Sequence, residues 1–363
     1  MLEQVLQPFS LFLLAVIAVY TVLLIVLLRR LSPAEKIAKP VIIPSPISLE
    51  DEQNAQTIQR FKDKADEAMR LNQTFRKFVP KQFVDHFAKH GSSSLELGRA
   101  DEDELAILFC DIRGFTGLSE LMSPQELMNF LNSYFLRMND PIHQNGGFID
   151  KFIGDAIMAL FDRPNGENRD KSQDAIRAAL DLRYAINIYN QHRSNSKYPP
   201  INIGIGIHFG PVIIGTVGSD DRMDTTVIGD SVNIAYRLEA LAPIYHTDIV
   251  VSAQALDVAE AEQHFKYRML DWVRVKGRKS PIEIYEIIDH MPPNMQKLKL
   301  ANADLIAKGI NSRIKQQWPQ ALDYFQQALV INSKDSLAIH HIKQCQIMQQ
   351  SKFPANWDGA LVL

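Results

Sequence analysis

The chain has 363 residues, 46% of them hydrophobic, with a formal net charge of -3 and two cysteines. That length and apolar content suffice for about two domains with real cores. The charge balance, without a long basic stripe, argues against a nucleic-acid binder, and Cys110 and Cys345 give neither a disulfide framework nor a zinc spacing, as suits a reducing compartment.

Leu11–Leu28 (LFLLAVIAVYTVLLIVLL) is an uncharged run of 18 residues, long enough to span a bilayer as a helix. A cleaved signal peptide is the rival reading, but the basic flank and small-residue cleavage site it requires are missing. Arg29, Arg30, Lys36 and Lys39 follow the run and no Lys or Arg precedes it, so the expectation is a single-pass anchor in the plasma (inner) membrane with everything after it cytoplasmic. Lys39–Pro46 is a Pro-rich linker. Ile58, Phe61, Ala65, Ala68 and Phe75 then recur at heptad-like spacing with Asn72 between the last two, which fits either a short parallel coiled coil or an ordinary amphipathic helix. Phe75–Phe87, broken by Pro80, is expected to pack on the domain that follows.

That domain opens with Leu105–Phe109, an apolar run without alternation, as in a strand buried on both faces. Asp111 stands where the strand ends, and Gly114, Phe115 and Thr116 stand where a helix begins. Backbone N–H groups at such a turn can cradle phosphate, and a carboxylate beside them can hold a metal ion. Ser123-Pro124-Gln125-Glu126 is a capping box with Pro at the first helical position. Phe148–Phe161 reads as two strands around a turn at Gly154-Asp155, and Asp174–Tyr189 as an amphipathic helix. Ile201–Gly218 reads as a hairpin turning at Gly210-Pro211. A helix over Asp230–Leu241, a strand over Asp248–Ser252 and a strand pair within Lys266–Ile288 complete an α+β fold. Its expected form is an elaborated ferredoxin-like palm, with helices on a mainly antiparallel sheet. Residues 301–348 carry the helical spacing of one tetratricopeptide-like unit. A single such unit must dock on the main domain or on a partner protein, since stacked repeats need about three copies to bury a core. The expected divisions are 1–30 (anchor), 31–55 (linker), 56–100 (coiled-coil-like helix and lead-in), 101–290 (main domain) and 291–363 (tail).

Taken singly, Asp111 and Asp155 read as cap or turn residues, and Asn233 with Arg237 as a solvated helix face. Taken together and in order, FCDIRGFT (Phe109–Thr116), DKFIGD (Asp150–Asp155) and TVIGDSVNIAYRLE (Thr226–Glu239) resemble the class III nucleotidyl cyclases over Glu102–Ile288. The resemblance implies cyclisation of a nucleoside triphosphate, with release of pyrophosphate, at sites shared between two catalytic domains of a homodimer. It implies two divalent metal ions (Mg²⁺ or Mn²⁺) on Asp111, Asp155 and the Ile112 carbonyl. Asn233 would orient the ribose and Arg237 would meet charge at the α-phosphate. Lys276 would bind the triphosphate, with Arg278 and Lys279 as close competitors and Arg222 as a further phosphate contact. Lys151 matches the position that reads adenine, and ATP is the expected substrate. Thr226 stands where adenylate-forming relatives commonly have Asp, and a hydroxyl can accept from the adenine amino group or donate to guanine O6. The expected activity is an adenylate cyclase. The alternatives are a guanylate cyclase or a catalytically silent nucleotide-sensing scaffold.

Overall fold

The computed structural model describes residues 19–26, 49–75, 80–83, 98, 100–163, 165–219, 221–276, 278, 280–354 and 357–362. The chain divides into two compact units, residues 1–71 and 72–363. Most of the apolar run Leu11–Leu28 lies outside the described residues. Residues 19–26 of it are helical and exposed, and among the described residues no helix is long and apolar enough to cross a membrane. Helix α1 covers Leu49–Phe75, with Ile58, Phe61, Met69 and Leu71 exposed along it.

The second unit is built on one sheet. Its central strand β1 (Ala100–Ile112) begins five residues before the predicted run and is buried on both faces from Leu105 to Cys110. A turn of helix α2 (Phe115–Ser119) follows, then α3 (Pro124–Gln144), which carries the predicted capping box between Ser123 and Glu126. The hairpin of β2 (Phe148–Ile153) and β3 (Ala156–Phe161) turns at Gly154-Asp155 as expected, with Gly154 at φ 65°. Helix α4 (Asn168–Asn195) extends the predicted helix at both ends.

Residues 201–218 are not a hairpin. Strand β4 (Ile203–Ser219) runs unbroken through Gly210-Pro211, and the turn comes after Ser219, before β5 (Arg222–Ile228). Pro211 is tolerated because it falls between the segment of β4 paired with β6 and the segment paired with β5. Its carbonyl accepts instead from Ser231 Oγ at 2.8 Å, so the missing N–H is taken from no ladder. The chain continues through α5 (Asp230–Leu241), β6 (Ile249–Ser252), α6 (Ala253–Val258), β7 (Tyr267–Arg274) and β8 (Ile282–Ile287). Strand order is β2-β3-β1-β4-β6-β8-β7, with β5 on β4; neighbours are antiparallel except β4 and β6. This is the expected palm-like α+β architecture.

Alternation along β1 and β4 divides the core into two layers. Ala106, Leu108, Cys110, Ile203, Ile205 and Ile207 face α3 and α4, meeting Tyr134, Met138, Ile176 and Leu182. Leu105, Ile107 and Phe109 face the other way, toward Phe83, Met158, Val212 and Ala235 of α5. On that side β4 presents Gly204, Gly206, His208 and Gly210. A Cβ on Gly206 would lie 2.2 Å from the Glu239 nitrogen, so the glycines are what lets α5 lie directly on the strand.

The tail docks on its own chain. Helices α7 (Pro293–Ala301), α8 (Ala303–Ile314), α9 (Trp318–Ile331) and α10 (Ser336–Met348) are followed by β9 (Leu361–Val362), which pairs in parallel with β7. Ile306, Ile310, Phe325 and Cys345 share one buried cluster with Leu270, Val273 and Ile284 of the sheet and with Ile234, Leu238 and Tyr245 in and beyond α5. Buried ions cross the same junction. Arg268 pairs with Glu286 and with Asp335 (2.6 Å), Lys299 reaches Glu286 at 2.7 Å, and Arg313 pairs with Asp271, which also accepts from Tyr245 Oη at 2.8 Å. Both cysteines are free and buried, Cys110 in β1 and Cys345 in α10.

Candidate active site

The two acidic residues of the first motifs meet at the end of β1. Register pairs Cys110 with Ile157 across β1 and β3, which carries the turn residue Asp155 to the level of Ile112. The Ile112 N–H donates to Asp111 Oδ1 at 3.0 Å and to Asp155 Oδ2 at 3.2 Å, so both carboxylates converge on one backbone amide. Burial, reinforced by the hydrogen bond and charge of Asp111, pushes the Asp155 carboxyl up to about 7. Two hard oxygen donors this close, one of them made reluctant to ionise by the other, suit a divalent cation. Among the described residues no group of three or more His, Cys, Asp or Glu side chains forms a metal cluster, so the two carboxylates and neighbouring carbonyls are the available donor set. Gly114, at φ 68°, takes the left-handed conformation that starts α2, with Phe115 half-buried and Thr116 exposed just beyond.

A second group forms around Lys151. Its Nζ lies 2.8 Å from Asp224 Oδ2 and 3.7 Å from Asp150 Oδ2, and Thr226 Oγ1 donates to that same Asp150 oxygen at 3.0 Å. The structure therefore brings Lys151 and Thr226 together within one chain. Although Lys151 and Asp155 share a hairpin, Lys151 turns to β5 and Asp155 to the end of β1.

The third group lies on α5. Asn233 is exposed, and Arg237 is half-buried and enters no ion pair among the described residues. Arg278 is held by Asp230 at the start of α5, Nε to Oδ2 3.1 Å, while Lys276 is exposed on the loop between β7 and β8. Lys279 lies outside the described residues. Arg222 is exposed at the start of β5, on the same face as Asp224 and Thr226 but about 13 Å along the strand from Thr226.

Four polar residues of this region went unread in the sequence. Asp150 and Asp224 join Lys151 and Thr226, and the only local hint is an acidic residue beside Lys151 in an otherwise apolar strand. Arg113 Nη1 lies 3.3 Å from Glu239 Oε1, tying the end of β1 to α5. Burial pushes Glu239 up to about 7 against the pull of Arg113. Gly204, opposite Asp111 in register, leaves the space for this pair, since a Cβ there would lie 1.9 Å from Arg113 Nη2. No spacing rule links residues so far apart in sequence.

With this geometry in place, the comparisons with known proteins are specific. The family described as adenylate and guanylate cyclase catalytic domain matches residues 98–289. An adenylate cyclase of Anabaena cylindrica is 42% identical over 219 residues, which is 59% of this chain and 42% of that protein. A terminal-differentiation-specific adenylate cyclase of Dictyostelium discoideum is 33% identical over 276 residues, 76% of this chain and 13% of that protein. The chain thus spans less than half the length of these relatives. A solved bacterial light-regulated adenylyl cyclase superposes with a TM-score of 0.56 at 27% identity, covering 67% of this chain and 69% of that one.

Proposed function

The chain belongs to the adenylate and guanylate cyclase catalytic-domain family, and we propose that within it this protein converts ATP to 3′,5′-cyclic AMP and pyrophosphate. The observation that carries the reading is the meeting of Asp111 and Asp155 at the Ile112 N–H, with Lys151 and Thr226 gathered into a separate base-reading group. Relatives named adenylate cyclase support the choice of base. Asp111, Asp155 and the Ile112 carbonyl would hold two divalent ions, which when bound lower the pKa of the attacking 3′-hydroxyl and neutralise the departing pyrophosphate. The chain's own residues do the rest. Gly114, Phe115 and Thr116 border the phosphates, Asn233 fixes the ribose, and the Arg237 fork meets charge growing on the α-phosphate. Lys276 and Arg222 complete the triphosphate contacts. Production of cyclic AMP from ATP by purified protein with Mg²⁺ or Mn²⁺ tests the assignment. Cyclic GMP as the main product, or no product with either nucleotide, would overturn it.

The site is proposed to be completed by a second copy. Phe152, Ile153, Met223, Ile228 and Tyr236 are large apolar side chains left exposed on the elements that carry Lys151, Thr226 and Arg237. Ile58 and Phe61 of α1 suit pairing with the same helix of that copy. The uncharged Leu11–Leu28 run supports a membrane anchor, with the catalytic domain on the cytoplasmic side. Full-length protein should pellet with membranes and resist carbonate extraction, whereas a chain beginning near Asp51 should remain soluble. A full-length chain recovered in the soluble fraction, shortened at its N-terminus, would mark the run as a cleaved signal.

The Asp155 carboxyl gives a reading of metal binding that is independent of turnover. Its folded pKa of about 7 lies above the unfolded value of 3.8. The stability it contributes is therefore fully present below about pH 4 and is lost as pH rises through 7. In metal-free protein, Asp155→Asn should thus be nearly neutral at pH 4.5 and stabilising at pH 8, by about 1–2 kcal/mol once partial exposure is allowed for. Millimolar Mg²⁺ should raise the melting temperature of the wild type at pH 8 and leave that of the variant unchanged. An equal response of both proteins would remove Asp155 from the metal site.

A further inference from the structure

A threonine hydroxyl facing a base is ambiguous. It carries one hydrogen and two lone pairs, and can accept from the 6-amino group of adenine or donate to O6 of guanine. In this chain the hydrogen is already committed. Thr226 Oγ1 donates to Asp150 Oδ2 at 3.0 Å, and the Asp150 side chain is fully buried, with its Oδ1 lacking a hydrogen-bond partner among the described residues. A carboxylate only accepts, so the hydroxyl has no other way to sit beside it. Burial pushes Asp150 up to about 6, which leaves it ionised at neutral and alkaline pH. Lys151 Nζ, 3.7 Å from the same oxygen and 2.8 Å from Asp224, is a donor only.

We infer that Asp150 sets the base choice of this enzyme by holding the Thr226 hydroxyl proton, so that Thr226 meets the base as an acceptor alone. The inference rests on the cyclase reading given above. At these two positions Thr226 then presents an acceptor, and Lys151, paired with Asp224, presents a donor. Adenine presents the complement, a 6-amino donor beside the N1 acceptor. Guanine presents the reverse, so its O6 would face the lone pairs of Thr226 and its N1–H the ammonium of Lys151. Both contacts would be repulsive. Asp150 is a positioning residue here: it touches Thr226 and Lys151, and acts on the base through them.

The experiment is a double-mutant cycle on substrate discrimination. The ratio of kcat/KM for ATP to kcat/KM for GTP is measured for wild type, Asp150→Leu, Asp150→Ala, Thr226→Val and the corresponding double variants. Both nucleotides are assayed on one preparation, so a loss of folded enzyme cancels from the ratio. Removing the acceptor frees the hydroxyl to donate to guanine O6, and the ratio should fall about tenfold. In the Thr226→Val background the same change at residue 150 should leave the ratio within about twofold, since no hydroxyl remains to be oriented. Asp150→Asn, whose amide oxygen can still accept from Thr226, should keep most of the discrimination. Equilibrium binding of 3′-deoxy-ATP and 3′-deoxy-GTP, which lack the attacking hydroxyl, should show the same pattern without turnover and serves where a variant is inactive. An unchanged ratio in both Asp150→Leu and Asp150→Ala, or an equal fall with and without the Thr226 hydroxyl, overturns the inference. A wild type that makes no cyclic AMP overturns the cyclase reading instead, so the two failures are told apart.

Discussion

Two inactive chains should make an active enzyme when mixed: Asp111→Asn and Arg237→Ala, each nearly dead alone, should together recover about a quarter of wild-type cyclic AMP production. Asp111 and Asp155 gather at the end of β1, whereas Arg237 lies half-buried on α5 without an ion-pair partner among the described residues. In a two-fold dimer with shared sites, one chain lends the carboxylates and the other lends Lys151, Thr226, Asn233, Arg237 and Lys276. A homodimer of either variant damages both of its sites. Loss of a metal carboxylate or of transition-state charge stabilisation costs about 10²-fold or more in rate. In a mixed dimer one site carries both lesions and the other carries neither. Random pairing makes about half the dimers mixed, each with one good site, hence about a quarter of full activity. The quarter is measured on the unselected mixture of differently tagged chains, and the fraction retained through both tags in sequence, all of it mixed dimers, should reach about half of wild-type activity. Verified mixed dimers that stay as inactive as their parents would rule out shared sites.

Removal of the tail should destroy the catalytic unit itself. The family match ends at residue 289, yet the buried cluster does not end there. Deleting residues 291–363 would uncover Leu270, Val273 and Ile284 and take away Ile306, Ile310 and Phe325, each worth about 1.5–3 kcal/mol when buried. It would also leave Asp271 without Arg313, and Arg268 and Glu286 without Asp335 and Lys299. Breaking one such buried pair costs about 3–5 kcal/mol. Each stranded charge alone is thus a large fraction of the roughly 5–15 kcal/mol that holds a domain folded. The truncated protein should be insoluble or lack a cooperative melting transition by calorimetry. Arg313→Met alone should lower the melting temperature sharply, and adding Asp271→Leu should restore part of the loss, because the second change removes the stranded charge. A truncated chain that melts cooperatively and makes cyclic AMP would show the tail to be a separate module.

What could be read in advance followed the range of the forces involved. The capping box at Ser123, the turn at Gly154-Asp155 and the limits of α5 are set by residues within a few positions of each other, and the structure places them as expected. Gly210-Pro211 misled because the dipeptide marks a turn locally. Whether Pro211 breaks a strand depends on which side of β4 its nitrogen faces, and that is decided by β5, β6 and Ser231. Nothing local in the sequence marked Gly204 and Gly206 of β4 as the residues that admit α5. Asp150 and the Arg113–Glu239 pair were invisible because their partners come from distant strands and helices. The tail was legible as helices and as a surface in need of cover, but not as part of the same core.

The two buried thiols give the protein a built-in clock for its own opening. Burial pushes Cys110 up to about 12 and Cys345 up to about 11, so in the closed structure neither presents a thiolate to a labelling reagent. Modification then reports the fraction of time each region spends open. One thiol lies in the central strand beside Asp111 and the other in the last helix of the tail, so single Cys→Ser variants time the two regions separately. If sheet and tail open as one cooperative unit, as the cluster joining the tail to β6, β7 and β8 suggests, both should label with the same free energy of opening although Cys110 lies in the other core layer.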